Sequence, residues 1–265
     1  MTRAGTRPVT IPLQETQTRQ PHVTVGTDGS EWGDVALDWA LRHASTLKAT
    51  IHVYAAECAG DQTIARRLHA YRWLHATVTA SPDSPVQALV AASAHSDLLV
   101  LGYRGHHHGP FGLGRSITPI LTGTHCDTVV VRGEIRAVRR EYGWVTAAIG
   151  GAHDPLVLQR AAQAATRSRS RLRLVHAVPL PAARHVETDD PAKVLERAAD
   201  MVRGLAPDIT PSLLLTRSQP HEAIRATTRS DLLVIGPGNQ NNRLSMVAST
   251  ALHLAPCPVL VVKPD

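Results

Sequence analysis

The sequence predicts an α/β fold made of two tandem, doubly wound domains. Near-continuous Val/Leu strands alternate with amphipathic helices, which is typical of a parallel sheet covered by helices on both faces. The chain has 265 residues, which exceeds the usual size of one domain, about 100–150 residues. Its second half repeats the order of elements found in its first half, which indicates an internal duplication.

The composition fits a globular protein, with 43% hydrophobic and 19% charged residues. No apolar run reaches membrane-spanning length and the N-terminus lacks a secretory signal, so we expect a cytoplasmic protein without a membrane partner. The three cysteines are widely spaced, which argues against a disulfide framework or a thiolate zinc site. The net charge of +6 would suit nucleic acid, but the basic residues are dispersed and aromatic residues make up only 3%, so we do not expect nucleic-acid binding.

The first half follows a polar leader, residues 1–21, and spans residues 22–132. Its predicted strands are His22–Thr27, Thr50–Ala55, Thr77–Ala80, Asp97–Leu101 and Thr128–Val131. Its predicted helices run from Val35 towards Lys48, over Thr63–His75, from Ser84 to about His95, and in a short segment before the last strand. The first crossover is long enough to connect parallel strands.

The second half, residues 144–265, follows a charged segment without periodicity, residues 133–143, which we predict to be a linker. Its predicted strands are Val145–Ile149, Leu172–Val178, Leu213–Thr216, Asp231–Ile235 and Val259–Val262. Helices are predicted over Pro155–Arg167, over Ala192–Leu205, from His221 and before Ala255. Two anchors make the repeat specific: SDLLVLG at 96–102 recurs as SDLLVIG at 230–236, and CDTVVV at 126–131 resembles CPVLVV at 257–262.

The stretch 96–132 carries most of the functional signal, because a buried strand runs into a glycine-rich loop and then into a short helix. Glycines allow backbone N–H groups to approach an anion closely, and a helix N-terminus favours negative charge. This layout is typical of a phosphate-binding loop. Glycine-rich strand-to-helix turns also occur merely as tight turns, so this loop by itself is weak evidence.

Three motifs resemble those of the universal stress protein family: VGTDGS at 25–30, DLLVLGYRG at 97–105 and APCPVLVV at 255–262. The chain is identified by this resemblance as a tandem two-domain member, and the similarity covers residue 22 to the C-terminus in two copies. The resemblance implies a Rossmann-like fold, similar to the adenine nucleotide alpha hydrolases, with a five-stranded, mostly parallel sheet in each domain. For one branch of the family it implies ATP, with or without Mg²⁺, at the strand ends.

The resemblance also assigns site residues in the first domain. On the base side it implies Asp28 after the first strand and Val53 in the second. The family loop for ribose and phosphates, Gly-x-x-Gly-x9-Gly-Ser/Thr, begins at Gly102 and Gly105.

The third glycine of the family loop falls on Arg115, followed by Ser116 as the hydroxyl residue, while Gly114 lies one place earlier. An arginine still offers its backbone N–H and adds a guanidinium, but it adopts a left-handed backbone less readily than glycine. Either Gly114 shifts the loop by one residue or the site is altered.

The second copy departs further from the family pattern. Gly150–Ala152 stands where the first copy has Asp28, and the loop at 236–245 lacks the glycine spacing. We therefore expect the nucleotide in the first domain, and we expect the second domain to pack against it.

Two further clusters have simpler explanations. Three adjacent histidines, His106–His108, seldom direct their imidazoles at one ion, and no Cys or carboxylate cluster lies nearby, so we expect no structural metal. Four arginines alternate with other residues between Arg167 and Arg173. They would suit nucleic-acid phosphates, but a solvated helix end is the commoner arrangement.

The predicted function is an ATP-binding regulatory or stress-response protein. No serine lies in a nucleophile-elbow sequence, so slow ATP hydrolysis is the most that we expect from it as an enzyme. The alternative is a scaffold or interaction protein with decayed sites that acts through its dimer surface. In this family the last strands commonly mediate pairing, so we expect the two domains to pair and the chain to form a homodimer.

Overall fold

A computed structural model describes residues 19–56, 61–80, 84–106, 112–150, 154–178, 190–227, 229–237 and 244–264. The strands are β1 (His22–Thr27), β2 (Thr50–Ala55), β3 (Ala76–Ala80), β4 (Leu98–Gly102), β5 (Asp127–Val131), β6 (Trp144–Ile149), β7 (Arg171–Ala177), β8 (Ser212–Thr216), β9 (Leu232–Ile235) and β10 (Val259–Val261). The helices are α1 (Glu31–Leu47), α2 (Asp61–His69), α3 (Pro85–Ser93), α4 (Ile117–Gly123), α5 (Ile135–Val138), α6 (Asp154–Ser168), α7 (Pro191–Leu205), α8 (Pro220–Ala226) and α9 (Met246–Leu254).

Within the described residues, ten strands form one continuous sheet in the order β3-β2-β1-β4-β5-β10-β9-β6-β7-β8. The five strands of each half run parallel, in the order of a doubly wound fold. The halves meet edge to edge where β5 and β10 pair antiparallel, with Leu260 opposite Val129. The α/β fold predicted from the sequence, with a mostly parallel five-stranded sheet in each half, is confirmed.

The hydrophobic core covers both faces of this sheet and crosses the boundary between the halves. One cluster contains Val100 of the first half and Val234 of the second, and the other contains Leu101 and Ile235. Every residue of β5 is buried, because helices cover both of its faces and a strand lies on each side. The two halves therefore share their core.

Two local features differ from the sequence prediction. The helix predicted over Thr63–His75 ends at His69, because i to i−3 backbone hydrogen bonds at Ala70 and Tyr71 tighten the chain into turns. The segment 133–143 contains the four-residue helix α5, whose last two residues are buried. A helix this short presents too few apolar residues to produce a periodic pattern.

A buried arginine joins the halves beside the β5–β10 pair. Arg132 follows β5, is 8% exposed, and donates through Nη1 to the carbonyl oxygens of Ala251 (3.2 Å) and Leu252 at the end of α9. Burial lowers the pKa of Arg132 to about 10, so the guanidinium remains charged at neutral pH. A cation at this place suits the partial negative charge of a helix C-terminus.

The repeated Ser-Asp sequence before β4 and β9 has the same structural role in both halves. The Ser96 hydroxyl lies 2.7 Å from the Thr24 hydroxyl, and the Ser230 hydroxyl lies 2.6 Å from that of Thr146. All four side chains are buried. Each pair satisfies two hydroxyls inside the core and links two neighbouring strands, β1 to β4 and β6 to β9.

The aspartate of this repeat binds backbone N–H groups at the start of the neighbouring strand. Asp97 accepts from His22 N at 2.7 Å. Asp231 accepts from three successive backbone N–H groups, residues 142–144, at 2.6–3.3 Å. The residue Asp231 is 4% exposed, whereas 55% of the Asp97 side chain is accessible. Asp97 thus accepts one backbone hydrogen bond at an exposed position, whereas Asp231 accepts three at a buried position.

We predict that Asp231→Ala destabilises the chain by about 2–3 kcal/mol and that Asp97→Ala costs below about 1 kcal/mol, because only the first leaves buried N–H groups without an acceptor. Chemical denaturation of both variants measures the difference. Asp231→Asn keeps one acceptor oxygen and should fall between them. Equal losses for the two alanine variants would contradict this assignment.

A histidine between the halves is held neutral. His43 stacks on Trp39 with ring centroids 4.9 Å apart, and its Nδ1 accepts from Arg140 Nη2 at 3.1 Å. Burial, together with the smaller effects of the neighbouring charges of Arg140 and Arg167, lowers the pKa of His43 to about 3. The unfolded chain has the ordinary pKa of about 6.5.

Because the folded pKa of His43 is depressed, its contribution to stability is present above about pH 6.5 and is lost as the pH falls towards 3. Between pH 7 and pH 5 we expect a loss of about 2 kcal/mol from this group. His43→Gln keeps an acceptor for Arg140 and does not titrate, so it should lose less stability over the same range in urea denaturation. The pKa values of His22 and His52 are also lowered, with burial as the largest cause. Both histidines are present in the wild type and in His43→Gln, so their contributions to the pH dependence cancel in the comparison. Identical pH profiles would show that His43 is not the group responsible.

Candidate functional site

The strand order of the first half reverses between β1 and β4, and a cavity of about 480 Å³ opens at the carboxyl ends of these two strands. We name it the β1–β4 cavity. In doubly wound sheets this is where ligands bind, because loops from the two sides of the sheet diverge there. Six of the seven site residues predicted from the sequence line it: Asp28, Gly102, Gly105, Gly114, Arg115 and Ser116.

Asp28 ties the turn after β1 to the loop after β4. Its Oδ1 accepts from Ser30 N at 3.1 Å, and its Oδ2 accepts from His106 N at 3.0 Å. Burial opposes ionisation of Asp28, but the hydrogen bonds from Ser30 and His106 outweigh it, and the net result is a lowered pKa. The carboxylate is therefore ionised at neutral pH and fixes one wall of the β1–β4 cavity.

Ser30 adds a second link between the same two segments. Its hydroxyl accepts from Gly33 N at 3.1 Å, which caps the N-terminus of α1, and donates to the Arg104 carbonyl oxygen at 3.2 Å. The motif at 25–30 thus begins α1 and holds the glycine-rich loop at the same time.

The first two loop glycines are required by close packing. A Cβ on Gly105 would collide with Asp28 Oδ2, and a Cβ on Gly102 would collide with the carbonyl group of Trp32. Neither residue has a positive φ. The absence of a side chain, rather than a left-handed backbone, is therefore what these two positions need.

Arg115 stands where the family loop has its third glycine. It is not among the described residues with positive φ, so this position does not require a left-handed backbone and arginine is accommodated without that strain. Gly114 N donates to the Tyr103 carbonyl oxygen at 2.9 Å, which holds this second loop segment against the first. Ser116 precedes α4 without a side-chain capping bond, and its side chain is exposed.

Val53 lies outside the β1–β4 cavity. Its side chain is 0% exposed and belongs to the core on the α1 face of the sheet. Tyr54 and Ala56 line the cavity instead. Side chains alternate along a strand, so a neighbour of Val53, and not Val53, faces this side.

Sequence reasoning also missed Arg104, which lines the β1–β4 cavity. Its guanidinium carbon lies 4.8 Å from the ring centroid of Tyr103, and that ring packs edge-on against Trp32 at 4.7 Å. Arg104 Nε is buried and has no hydrogen-bond partner among the described residues. A cation inside the glycine-rich motif is the signal that would have identified it.

The corresponding region of the second half is described only in part. Gly150 has a φ of +129° and donates its N–H to the Asp154 carboxylate, at 2.8 and 3.0 Å to the two oxygens. The predicted differences at residues 151–152 and most of the loop at 236–245 lie outside the described residues.

The other sequence signals have structural explanations where the chain is described. Arg171 and Arg173 stack on Trp144, with guanidinium carbons 4.2 and 4.6 Å from a Trp144 ring centroid. His106 contributes its backbone N–H to Asp28, whereas His107 and His108 lie outside the described residues. In the described ranges no three His, Cys, Asp or Glu residues group as metal ligands, and no helix there is long and apolar enough to cross a membrane.

Comparison with known proteins agrees with this architecture. Residues 142–263 match the model of the universal stress protein family. Universal stress protein Rv2028c of Mycobacterium tuberculosis is 27% identical over 173 residues, covering 57% of this chain and 62% of that protein. The match thus spans less than two thirds of the length of this curated relative.

Solved structures match both the whole chain and half of it. The crystal structure of a universal stress protein from Archaeoglobus fulgidus DSM 4304 has a TM-score of 0.70 at 17% identity, covering 92% of this chain and 96% of that one. A universal stress protein from Archaeoglobus fulgidus solved in complex with dAMP covers 45% of this chain and 96% of its own, at 23% identity and a TM-score of 0.37. The family resemblance seen in the sequence is confirmed, and the whole-chain match shows the tandem fold.

Proposed function

Because the chain carries a universal stress protein family domain at residues 142–263 and repeats its fold in the first half, we propose that it is an ATP-binding regulatory or stress-response factor. The adenine nucleotide, with or without Mg²⁺, would occupy the β1–β4 cavity of the first half. The second half would stabilise this site through the shared core.

The observation that supports this proposal most is the convergence of separate segments on one cavity. Asp28 follows β1, whereas the Gly102–His106 and Gly114–Ser116 segments lie at or after the carboxyl end of β4, yet residues from all three line the β1–β4 cavity. Its volume of about 480 Å³ lies within the usual range for small-molecule sites, about 300–1,000 Å³. The residues present therefore fit a nucleotide in size and position.

The charges in the β1–β4 cavity also fit an anionic ligand. Arg104 and Arg115 supply two guanidiniums that can donate to phosphate oxygens, and the buried Nε of Arg104 lacks a partner among the described residues. ATP would bring the negative charge that these side chains attract. Asp28 presents an ionised carboxylate, which suits the amino or hydroxyl donors of a nucleoside.

The same geometry favours binding over rapid hydrolysis. Asp28 is the one carboxylate among the described residues that line the cavity, and its oxygens already accept two backbone N–H groups. Its lowered pKa makes it a weak base for activating water. This supports a role in sensing or regulation, with at most slow turnover.

The proposal is tested by titrating the purified protein with MgATP in a calorimeter and by following its melting temperature. We expect binding heat and a higher Tm for the wild type, and a roughly tenfold or greater loss of affinity for Arg104→Gln, since a charge-assisted hydrogen bond is worth about 1.5–3 kcal/mol. Arg169→Gln, which changes an arginine outside the lining, is the matched control. The proposal is wrong if the wild type gives neither binding heat nor a change in Tm.

A scaffold protein is the second candidate function, and the outer strand β8 favours it. β8 is one of the two end strands of the sheet in the described part of the chain, the other being β3, and its residues Leu213, Leu214 and Leu215 are 42–44% exposed. An open apolar edge can pair with a strand of another chain, which would give the predicted homodimer. Light scattering that shows a dimer for the wild type and a monomer for Leu214→Lys, together with no MgATP binding, would favour this candidate.

A further inference from the structure

A second cavity, of about 400 Å³, lies between the C-terminal halves of α1 and α6. We name it the α1–α6 cavity. Trp39 and His43 of the first half and Arg167 of the second contribute to its lining, so it spans the boundary between the halves. It lies beside the amino ends of β1 and β6, whereas the β1–β4 cavity lies at carboxyl ends. The two cavities are therefore separate sites.

One residue that lines the α1–α6 cavity has a buried hydrogen-bond donor without an acceptor among the described residues. This residue is Trp39, which is 2% exposed and whose indole Nε1 has no hydrogen-bond partner there. Buried polar groups in folded proteins are nearly always paired, and an unpaired one costs about 1–3 kcal/mol. A ligand with an acceptor atom would remove this penalty.

The charged side chains around the cavity also favour an anionic ligand, because arginines outnumber carboxylates in the lining. Three carboxylates among the described residues line the cavity, and each is engaged. Asp127 binds Arg160 at 2.5 Å, Asp231 accepts three backbone N–H groups, and Asp97 accepts from His22 N and lies 3.7 Å from Arg19. Arg140 donates to neutral His43, and no ion pair involves Arg140 or Arg167 in the described part of the chain. Among the described residues, these two guanidiniums thus make no direct ion pair, although Arg140 lies near enough to Asp231 for their charges to interact.

The sheet side of the cavity is largely apolar, whereas the helices also contribute the polar side chains of Thr46, Gln163 and Ser168. The sheet contributes Val129 and Leu260 from the paired strands β5 and β10, and the Arg140 guanidinium carbon lies 5.3 Å from the centroid of the Trp39 ring. The helix ends that flank the cavity are C-termini, which repel anions weakly, so any attraction for an anion must come from the guanidiniums.

We propose that the α1–α6 cavity binds a compact organic anion, an apolar or aromatic body carrying one carboxylate, sulfonate or phosphate group. Arg140 and Arg167 would hold the anionic group, Trp39 would donate its indole N–H, and the sheet would contact the apolar body. Because both halves contribute residues, such a ligand would stabilise their association. This site does not depend on the nucleotide proposed for the β1–β4 cavity.

The probe for this proposal is 1-anilinonaphthalene-8-sulfonate, with N-phenyl-1-naphthylamine as the same ring system without the charge. We expect the sulfonate to bind the wild type at one site per chain, to change tryptophan fluorescence, and to bind about tenfold more weakly to Arg167→Gln. Arg169→Gln, which changes an exposed arginine near the same helix end but outside the lining, should bind like the wild type. Trp39→Phe keeps an aromatic ring and removes the N–H, and should also weaken binding. The neutral naphthylamine should bind weakly and respond equally to all variants.

Either of two results with the probes themselves would overturn the proposal, and competition by MgATP would be a third. One is sulfonate binding that Arg167→Gln leaves unchanged, and the other is neutral probe that binds as tightly as the sulfonate. Saturating MgATP and the Arg104→Gln variant should leave sulfonate binding unaltered, since both concern the β1–β4 cavity. Competition by MgATP would place the probe there instead and would also overturn the proposal. Failure of nucleotide binding would leave the sulfonate result unaffected.

Discussion

Gly133→Ala is expected to destabilise the chain by about 2–5 kcal/mol, which combines a left-handed backbone penalty of about 1–2 kcal/mol with an overpacking cost of about 1–3 kcal/mol. Gly133 follows β5 with a φ of +89°, and a Cβ there would collide with the backbone of Pro256 and Cys257 in the second half. Because the atoms that the added Cβ would meet are backbone atoms, rotation of a side chain cannot relieve the collision. The change should therefore separate the halves at the β5–β10 pair.

Gly143→Ala is the matched control for this prediction. Gly143 also has a positive φ, +70°, but a Cβ there would meet nothing within 4 Å. It carries the backbone penalty alone, so we expect a loss of about 1 kcal/mol. Guanidinium denaturation of the two variants separates backbone strain from steric overlap, and equal losses would show that the contact between Gly133 and the second half is not tight.

Gly102→Ala is expected to abolish measurable MgATP binding and to destabilise the chain by about 3 kcal/mol, at the upper end for overpacking. A Cβ at this position would collide with the Trp32 carbonyl group and lie 3.0 Å from Gly33 N, both in the first turn of α1. Because Asp28 lies just before that turn, a shift of α1 would move the carboxylate relative to the loop that it holds. Calorimetry and denaturation on the same protein measure both effects.

Gly204→Ala is the control for the glycine change itself. Gly204 lies inside α7, and a Cβ there would meet nothing within 4 Å. We expect a gain in stability of about 0.5–1 kcal/mol, with unchanged MgATP affinity. Nucleotide binding that survives in Gly102→Ala would mean that the β1–β4 cavity is not the binding site.

Much of the fold follows from local patterns in the sequence. Strands buried on both faces are continuous apolar runs, so β4, β5, β9 and β10 can be placed from composition alone. The repeated Ser-Asp sequence reveals the duplication because both copies need the same hydroxyl pair and the same carboxylate at a strand end. Short elements such as α5 escape this reasoning, because one turn of helix contains too few residues to show a period.

Motif spacing in the sequence predicted part of the lining of the β1–β4 cavity. Six predicted residues line one cavity, since loops at the carboxyl ends of adjacent parallel strands converge. Motif spacing gave no indication that Tyr54 rather than Val53 faces this cavity, or that Arg104 lies in it with a buried, unpartnered nitrogen. These facts depend on which face of a strand or loop is covered, and that is decided by distant segments.

The sequence by itself determined the two-fold repeat, the order of its strands and longer helices, and the glycine-rich loop, because each arises from residues close together in the chain. Only the tertiary structure decided that the halves join through β5 and β10 and that Gly102 must lack a side chain beside Trp32. It alone brought Trp39, Arg140 and Arg167 around one cavity. The physical reason is that hydrogen bonds, steric contacts and charge imbalance act through space, between residues whose spacing along the chain gives no sign that they meet.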